Sequence, residues 1–241
     1  MKSSHQIFDS ADHLAKTAAE TIEETGRAMI DQNGQFTLVL SGGSTPAATY
    51  KHLISSKLDW SKVHLFWGDE RSVISTHPDS NYHLAFENLI KHIDIPGDNV
   101  HRVASEEDTM LAAQQYQDEI LYFFGMPEGS WPSFDLILLG LGDDGHTASL
   151  FPQSDAVSET ASLVVENHVK KLNTRRITFT LPLINAAKKI LFLVAGDAKS
   201  TMVHRILKNI DVSEPVPAQL VNPTAGEVVW YLDKSAARQL N

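Results

Sequence analysis

The sequence predicts a single α/β domain built on a mainly parallel sheet with helices on both faces, and three observations carry that prediction. Short apolar runs alternate with longer stretches of helical periodicity, the pattern of βαβ units. Three of the runs end in polar, glycine-assisted loops, which a parallel sheet gathers at one edge. No repeat, low-complexity tract or Pro/Gly-rich linker interrupts the 241 residues, so residues 1–241 are expected to form one domain.

In chain order, Ser10 to Gln32 carries Ala, Leu, Ile and Met at helical spacing, with Ser10 able to cap its start and Asn33-Gly34 able to end it. Phe36–Leu40 reads as a strand, followed by the turn Ser41-Gly42-Gly43-Ser44-Thr45-Pro46 and a helix from Ala47 to about Ser56. Strand Val63–Trp67 leads into the polar loop Gly68-Asp69-Glu70-Arg71 and a helix from about Ser80 to His92. A helix near Glu106 to Phe124 precedes strands Phe134–Leu139, Ile177–Leu181 and Ile190–Val194. A helix near Ala198 to Leu207 and a strand near Val228 to Leu232 complete the pattern. Ser158 to Asn173 breaks the rhythm, and within it Leu163-Val164-Val165 is a candidate for an extra antiparallel strand or small subdomain.

Composition narrows the function. Hydrophobic residues at 42% and charged residues at 21% describe an ordinary globular chain. A net charge of −10 without a basic run argues against nucleic acid or an anionic membrane as the main partner, so an anionic substrate would need a local basic pocket. The absence of cysteine removes disulfides, thiolate metal sites and thiol catalysis together. No apolar stretch approaches membrane-spanning length and the N-terminus shows no apolar signal region, so a cytoplasmic protein is expected. The eleven histidines include no His-x-x-x-His spacing, and no metal is expected.

The densest chemistry lies in Gly140 to Pro152, directly after the apolar run ending at Leu139. It places Asp144 and His146 two residues apart on a glycine-freed turn at a strand end, an acid/base pair where open α/β sheets hold their ligands. Gly140, Gly142 and Gly145 also satisfy the G-x-G-x-x-G dinucleotide pattern, but Asp143 and Asp144 would repel a pyrophosphate there, and Pro152 prevents a long helix from following. Ser149 lacks a G-x-S-x-G surrounding and is not expected to be a nucleophile.

Two further strand ends converge on the same edge. In Ser41-Gly42-Gly43-Ser44-Thr45-Pro46 the glycines expose backbone amides, Thr45 can cap, Pro46 suits the first helical position, and the helix dipole favours an oxyanion. No Lys follows the second glycine, so the loop fits a monophosphate ester better than a nucleoside triphosphate; an ordinary capped turn is the competing reading. In the second, Arg71 can bind phosphate or a developing oxyanion, while Asp69 and Glu70 can orient it or bind sugar hydroxyls. Arg176 and Lys199 flank other strand ends as supplementary cations. Arg175 and Arg176 must point opposite ways, and spacing does not say which one faces a pocket.

Taken together, Ser41 to Pro46, Gly68 to Arg71, Gly140 to Pro152, and Arg176-Ile177-Thr178 with Gly196 and Lys199 resemble the family of 6-phosphogluconolactonases and glucosamine-6-phosphate deaminases. The resemblance spans most of the chain. It implies a modified Rossmann-like domain, without metal or organic cofactor, that hydrolyses 6-phospho-D-glucono-1,5-lactone to 6-phosphogluconate. By motif position it implies His146 as the base activating water, Asp144 as its orienting partner and Arg71 as a substrate or oxyanion ligand. Ser41, Gly42, Gly43, Ser44, Thr45, Arg176 and Lys199 would hold the phosphate, and the protein would work as a monomer or homodimer. The deaminase branch resembles this chain through Asp-Gly-His, but it follows with an acid where Phe151 stands here, and Arg71 replaces its usual aromatic. A sugar-phosphate-sensing module is the reading from another class, disfavoured because sensing does not require Asp144 and His146.

Overall fold

Strands that read as uninterrupted apolar runs are buried at every position here, because helices and loops cover both faces of the sheet they form. The computed structural model describes residues 3–106, 108–170 and 173–240. Outside the described residues lie Met1, Lys2 and Asn241 at the termini, Glu107 of the helix expected near Glu106, and Lys171 and Leu172 of the Ser158–Asn173 segment. The chain first forms β1 (Ser3–Phe8), α1 (Ala11–Asn33), β2 (Phe36–Leu40), α2 (Ser44–Leu53), β3 (Val63–Trp67), β4 (Asp69–Arg71), α3 (Asn81–Asn88) and α4 (Thr109–Phe124). It continues with β5 (Leu136–Leu139), β6 (Val164–Val169), β7 (Thr174–Phe179), α5 (Leu181–Asn185), β8 (Lys189–Val194), α6 (Ser200–Leu207) and β9 (Glu227–Asp233).

The main sheet has six strands in the order β1-β9-β8-β5-β2-β3, with every pairing parallel, as the alternation of strands and helices requires. Its interior strands β2 and β5 are buried throughout. α1 is bounded as its sequence dictates: Ser10 Oγ accepts from His13 N at 3.1 Å, and Gly34 closes the helix with φ of 82° and its N–H on Ile30 O. The apolar stripe Leu14, Ala15, Ala18, Ala19 and Ile22 faces inward. A second sheet, in the order β4-β7-β6, is antiparallel, and one hydrophobic cluster runs through both sheets.

Four sequence expectations are corrected. β1 was not anticipated, because Ser-Ser-His-Gln-Ile-Phe has no apolar run; it is an edge strand held by its parallel ladder with β9, with Phe8 buried and Ile7 exposed. Asp69-Glu70-Arg71 is a strand rather than a loop, since β4 pairs antiparallel with β7. The strand expected at Ile177–Leu181 starts at Thr174, stops at Phe179 and belongs to this second sheet, because Leu181 already opens α5. α2 begins at Ser44 with Gly43 as its cap residue, so Thr45 does not cap and Pro46 is third rather than first in the helix. The Leu163–Val165 candidate lies at the start of β6, which pairs antiparallel with β7.

Gly68 joins the two sheets. Its N–H donates to Leu40 O at 3.1 Å, extending the β2–β3 ladder, and its carbonyl accepts from Phe179 N at 2.8 Å. The chain therefore leaves the parallel sheet at the end of β3 and enters the antiparallel one immediately, which carries Asp69 and Arg71 to the carboxyl edge of β2 and β5.

Candidate active site

A cavity of about 280 Å³ opens at that edge. It is walled by Ser41 to Pro46 after β2, Asp69 and Arg71 on β4, Gly140 to Gly142 with His146 and Ala148 after β5, and Leu193 to Ala195 with Lys199 after β8. β8, β5 and β2 are adjacent in the main sheet, so the register that pairs them also converges their trailing loops, while β4 follows directly on β3, the neighbour of β2.

The loop after β2 is shaped as an anion cradle. Tyr50 OH accepts from Ser41 N at 2.9 Å and donates to Ser41 O at 2.7 Å, and burial pushes its hydroxyl well above the usual tyrosine range, so it stays a donor. Gly43, at φ of 110°, turns the chain abruptly into α2. The Ser44 and Thr45 amides occupy the first two helical positions, and among the described residues no acceptor meets them; Pro46 has no amide to offer. Ser41 Oγ is likewise buried without a partner among the described residues. The absence of a side-chain cap thus leaves the helix N-terminus open toward the cavity.

The loop after β5 builds the acid/base pair. Gly142 N donates to His146 O at 2.8 Å and Gly145 N to Gly142 O at 3.2 Å, while Gly145, at φ of 85°, passes so close to Val216 that a Cβ would sit 2.6 Å from it. Folded this tightly, Asp144 Oδ1 reaches His146 Nδ1 at 2.6 Å and also accepts His146 N at 3.2 Å. A carboxylate can only accept, so Nδ1 carries the proton and Nε2 is the ring nitrogen left for other chemistry. Phe151 stacks on the imidazole at 4.2 Å and 26°. His146 lines the cavity and Asp144 stands behind it, outside the cavity wall.

On β4, alternation turns Asp69 and Arg71 to one face and Glu70 to the other. Asp69 is buried, with Ser149 Oγ donating to Oδ2 at 2.6 Å and Asn81 Nδ2 donating to Oδ1 at 3.2 Å. Arg71 donates from Nη1 to Asp79 O, and its Nε is buried without a partner among the described residues. Glu70 is placed away from the cavity, 1% exposed. It accepts from Arg71 N, Asn81 N, Ser80 Oγ and Tyr82 N at 2.7 to 3.0 Å, tying the start of α3 to β4. Burial raises its carboxyl even against those hydrogen bonds.

Across the β4–β7 ladder Arg71 lies opposite Arg176, so the two guanidinium groups share a face; burial, and then repulsion from Arg71, lower Arg176. Arg175 points the other way and pairs with Glu166 at 2.8 Å. Arg176 does not line the cavity itself, whereas Lys199 does, from the turn ahead of α6. That turn is held by Gly196 N on Asp233 Oδ1 at 3.0 Å. Ser149 is a buried donor to Asp69 rather than an exposed hydroxyl.

Sequence reasoning missed Asn81, which the structure buries between Asp69 and Gly42. In sequence it is only a polar residue beside a helix cap. A single apolar-to-polar inconsistency would have marked it, and none exists in Asp79-Ser80-Asn81. His64 and His101, expected in core or surface roles, are joined at 3.1 Å, with His101 bound to Glu119 at 2.8 Å, away from the cavity.

Fold and cavity define an α/β protein of the class that keeps its small-molecule site at the carboxyl ends of parallel strands. The chain belongs to the family described as glucosamine-6-phosphate isomerases/6-phosphogluconolactonase, whose profile matches residues 9–230. It is 43% identical over 212 residues to a 6-phosphogluconolactonase of Synechocystis sp., covering 88% of this chain and 87% of that one. It is 36% identical over 242 residues to a 6-phosphogluconolactonase of Nostoc sp., covering 100% of both. The solved 6-phosphogluconolactonase of Trypanosoma brucei superposes with a TM-score of 0.89 at 30% identity, over 100% of this chain and 99% of that one.

Proposed function

We propose that this chain hydrolyses 6-phospho-D-glucono-1,5-lactone to 6-phospho-D-gluconate, the second step of the oxidative pentose phosphate pathway, with His146 as general base. The observation that carries the reading is the 2.6 Å Asp144–His146 contact, which reserves Nε2 for a water beside a cradle of open helix amides. The phosphate sits on the Ser44 and Thr45 amides and hydroxyls, within Gly42 and Gly43, with Lys199 and the Arg176 guanidinium supplying charge. Binding that distant group fixes the lactone carbonyl over His146.

Water then loses a proton to Nε2 as its oxygen bonds to C1, and the carbonyl oxygen becomes an oxyanion facing Arg71. Collapse of the tetrahedral carbon breaks the C1–O5 bond. O5 takes the proton back from the imidazolium, and the new carboxylic acid ionises to solvent. Asp144 stabilises the transient imidazolium, and Asp69 accepts a sugar hydroxyl.

Phe151 favours this reaction over ring-opening deamination, since a phenyl ring stacked on His146 can neither donate nor accept a proton. We expect a small-molecule substrate alone, with no nucleic acid, metal or cofactor, in a monomer or homodimer. No helix among the described residues is long and apolar enough to cross a membrane, and the substrate suits a cytoplasmic setting. The test is a rapid assay with freshly generated lactone, corrected for spontaneous hydrolysis, beside glucosamine 6-phosphate. Lactone turnover that falls about 10²- to 10⁴-fold in His146→Ala is expected. Near-normal turnover in that variant removes His146 from the mechanism, and turnover of the amino sugar alone overturns the substrate.

A further inference from the structure

We propose that Asn81 is a positioning residue for the reaction: it aims Asp69 into the cavity and sets the distance between that carboxylate and the anion loop after β2. The inference rests on the substrate-binding role given to Asp69 above.

Three contacts converge on this one side chain, which is 1% exposed. Its Nδ2 donates to Asp69 O at 2.9 Å and to Asp69 Oδ1 at 3.2 Å. Both of those oxygens can only accept, so the amide must present its NH₂ group to β4 and its Oδ1 must face the opposite way. That oxygen is buried with no hydrogen-bond partner among the described residues, and it abuts Gly42, where a Cβ would fall 1.9 Å from it. The backbone of Asn81 is itself fixed, because its N–H donates to the buried Glu70 at 2.7 Å.

The geometry explains two features at once. An unpartnered buried acceptor calls for a reason, and here it is the spacer between two loops that come from different strands. Gly42 lacks a side chain because Asn81 occupies that volume. Asp69 and the Ser44–Thr45 amides would hold opposite ends of one substrate, so an amide wedged between their supports fixes the span the substrate must match. Glu70, assigned to substrate binding from sequence, acts one step further back by seating Asn81.

The experiment is a double-mutant cycle of Asn81→Ala and Asp69→Asn, read as kcat and KM for the phosphorylated lactone, with melting temperature recorded for each variant. Asn81→Ala alone lowers kcat/KM about 10- to 100-fold, the scale of a misplacement near 1 Å. In the Asp69→Asn background the same change costs less than about threefold, because the group it positions is already gone. Asn81→Asp preserves size and backbone seating, which keeps the test open if the alanine variant does not fold. It sets a second carboxylate against Asp69, so the acid limb of the kcat/KM profile moves to higher pH. Strictly multiplicative losses in the cycle, with an unmoved pH profile, overturn the positioning role while leaving the lactonase reading intact. Undiminished turnover in Asp69→Asn overturns both the role of Asp69 and this one.

Discussion

Replacing Asp144 by Asn removes one charge at nearly constant shape, and the structure sets the size of the effect. Asp144 Oδ1 lies 2.6 Å from His146 Nδ1, which places the charge centres of carboxylate and imidazolium about 4 Å apart. At an effective dielectric constant of about 20, that pair is worth about 4 kcal/mol. The two side chains are 27% and 29% exposed, so solvent trims the figure to about 2–3 kcal/mol. The imidazolium exists only after water has given up its proton, so the loss falls on the transition state and appears in kcat. Since about 1.4 kcal/mol is a factor of ten, kcat should fall roughly 30- to 150-fold with KM changed by less than about twofold. Rotation of the Asn amide to present its NH₂ group would also disfavour the productive tautomer and push the loss higher. A stopped-flow assay with a pH indicator, corrected for spontaneous opening of the lactone, measures both constants. A kcat within threefold of the parent, or a loss carried by KM alone, would refute the assignment of Asp144 to the imidazolium.

Three other perturbations probe the anion cradle and the fold. Lys199→Ala should raise KM for the phosphorylated lactone about tenfold or more and leave unphosphorylated gluconolactone untouched; equal effects on both would remove Lys199 from phosphate binding. Gly42→Ala drives a methyl group to within 1.9 Å of Asn81 Oδ1, so repacking should cost about 1–3 kcal/mol and lower Tm by several degrees, and an unchanged melt would count against the tight contact. Burial, with a smaller contribution from His101, depresses His64 to about 4, below its unfolded value of 6.5. Between those values the unfolded chain binds a proton that the native chain refuses, so stability is lost as pH falls from 6.5 toward 4. That depression has a ceiling of about 3.4 kcal/mol, discounted to about 1–2 kcal/mol because the ring is only half-buried. Denaturant titrations across that range should show a shallower acid slope in His64→Gln, and an identical slope would refute the origin assigned to it.

The parallel sheet was legible because its strands satisfy two requirements that both leave marks in the chain. Leu136–Leu139 is apolar at every position and Phe36–Leu40 at every position but Thr37, which is buried on Asp135, since both faces are covered, and α1 announces its ends through Ser10 and Gly34. β1 and β4 left no such mark. The first is held by a ladder at a sheet edge, and the second is three charged residues whose strand conformation comes from pairing with β7, far away in sequence. That omission propagated into the site. Read as a loop, Asp69-Glu70-Arg71 offers three ligands; read as a strand, alternation leaves two and sends Glu70 beneath α3. The same ladder answers the question left between Arg175 and Arg176, since only the residue opposite Arg71 can share its face. Asp144 and His146 needed no partner strand, because a tight glycine turn fixes their contact locally. Asn81 depended on two distant loops meeting, and its neighbours in sequence contain neither.

A chain of net charge −10 that binds a phosphorylated substrate must create positive potential against its own average, and the proposed site offers a place for it. At physiological salt the Debye length is about 8 Å, so acidic residues on the far surface contribute little at the cavity. On the proposed reading the attraction is local: two open amides at the start of α2, the Lys199 ammonium and the Arg71 guanidinium line the cavity, with Arg176 beside Arg71 on the same face of the second sheet. Amide dipoles do not titrate and are already aimed, so this part of the attraction needs no reorganisation when the phosphate arrives. The arrangement also separates labour between the two sheets. The parallel sheet supplies the amides and the Asp144–His146 pair, while the antiparallel one supplies guanidinium groups and Asp69. Gly68, where the chain passes from one sheet to the other, is therefore the position that brings Asp69 and Arg71 to the cavity whose amides and Asp144–His146 pair follow the parallel strands.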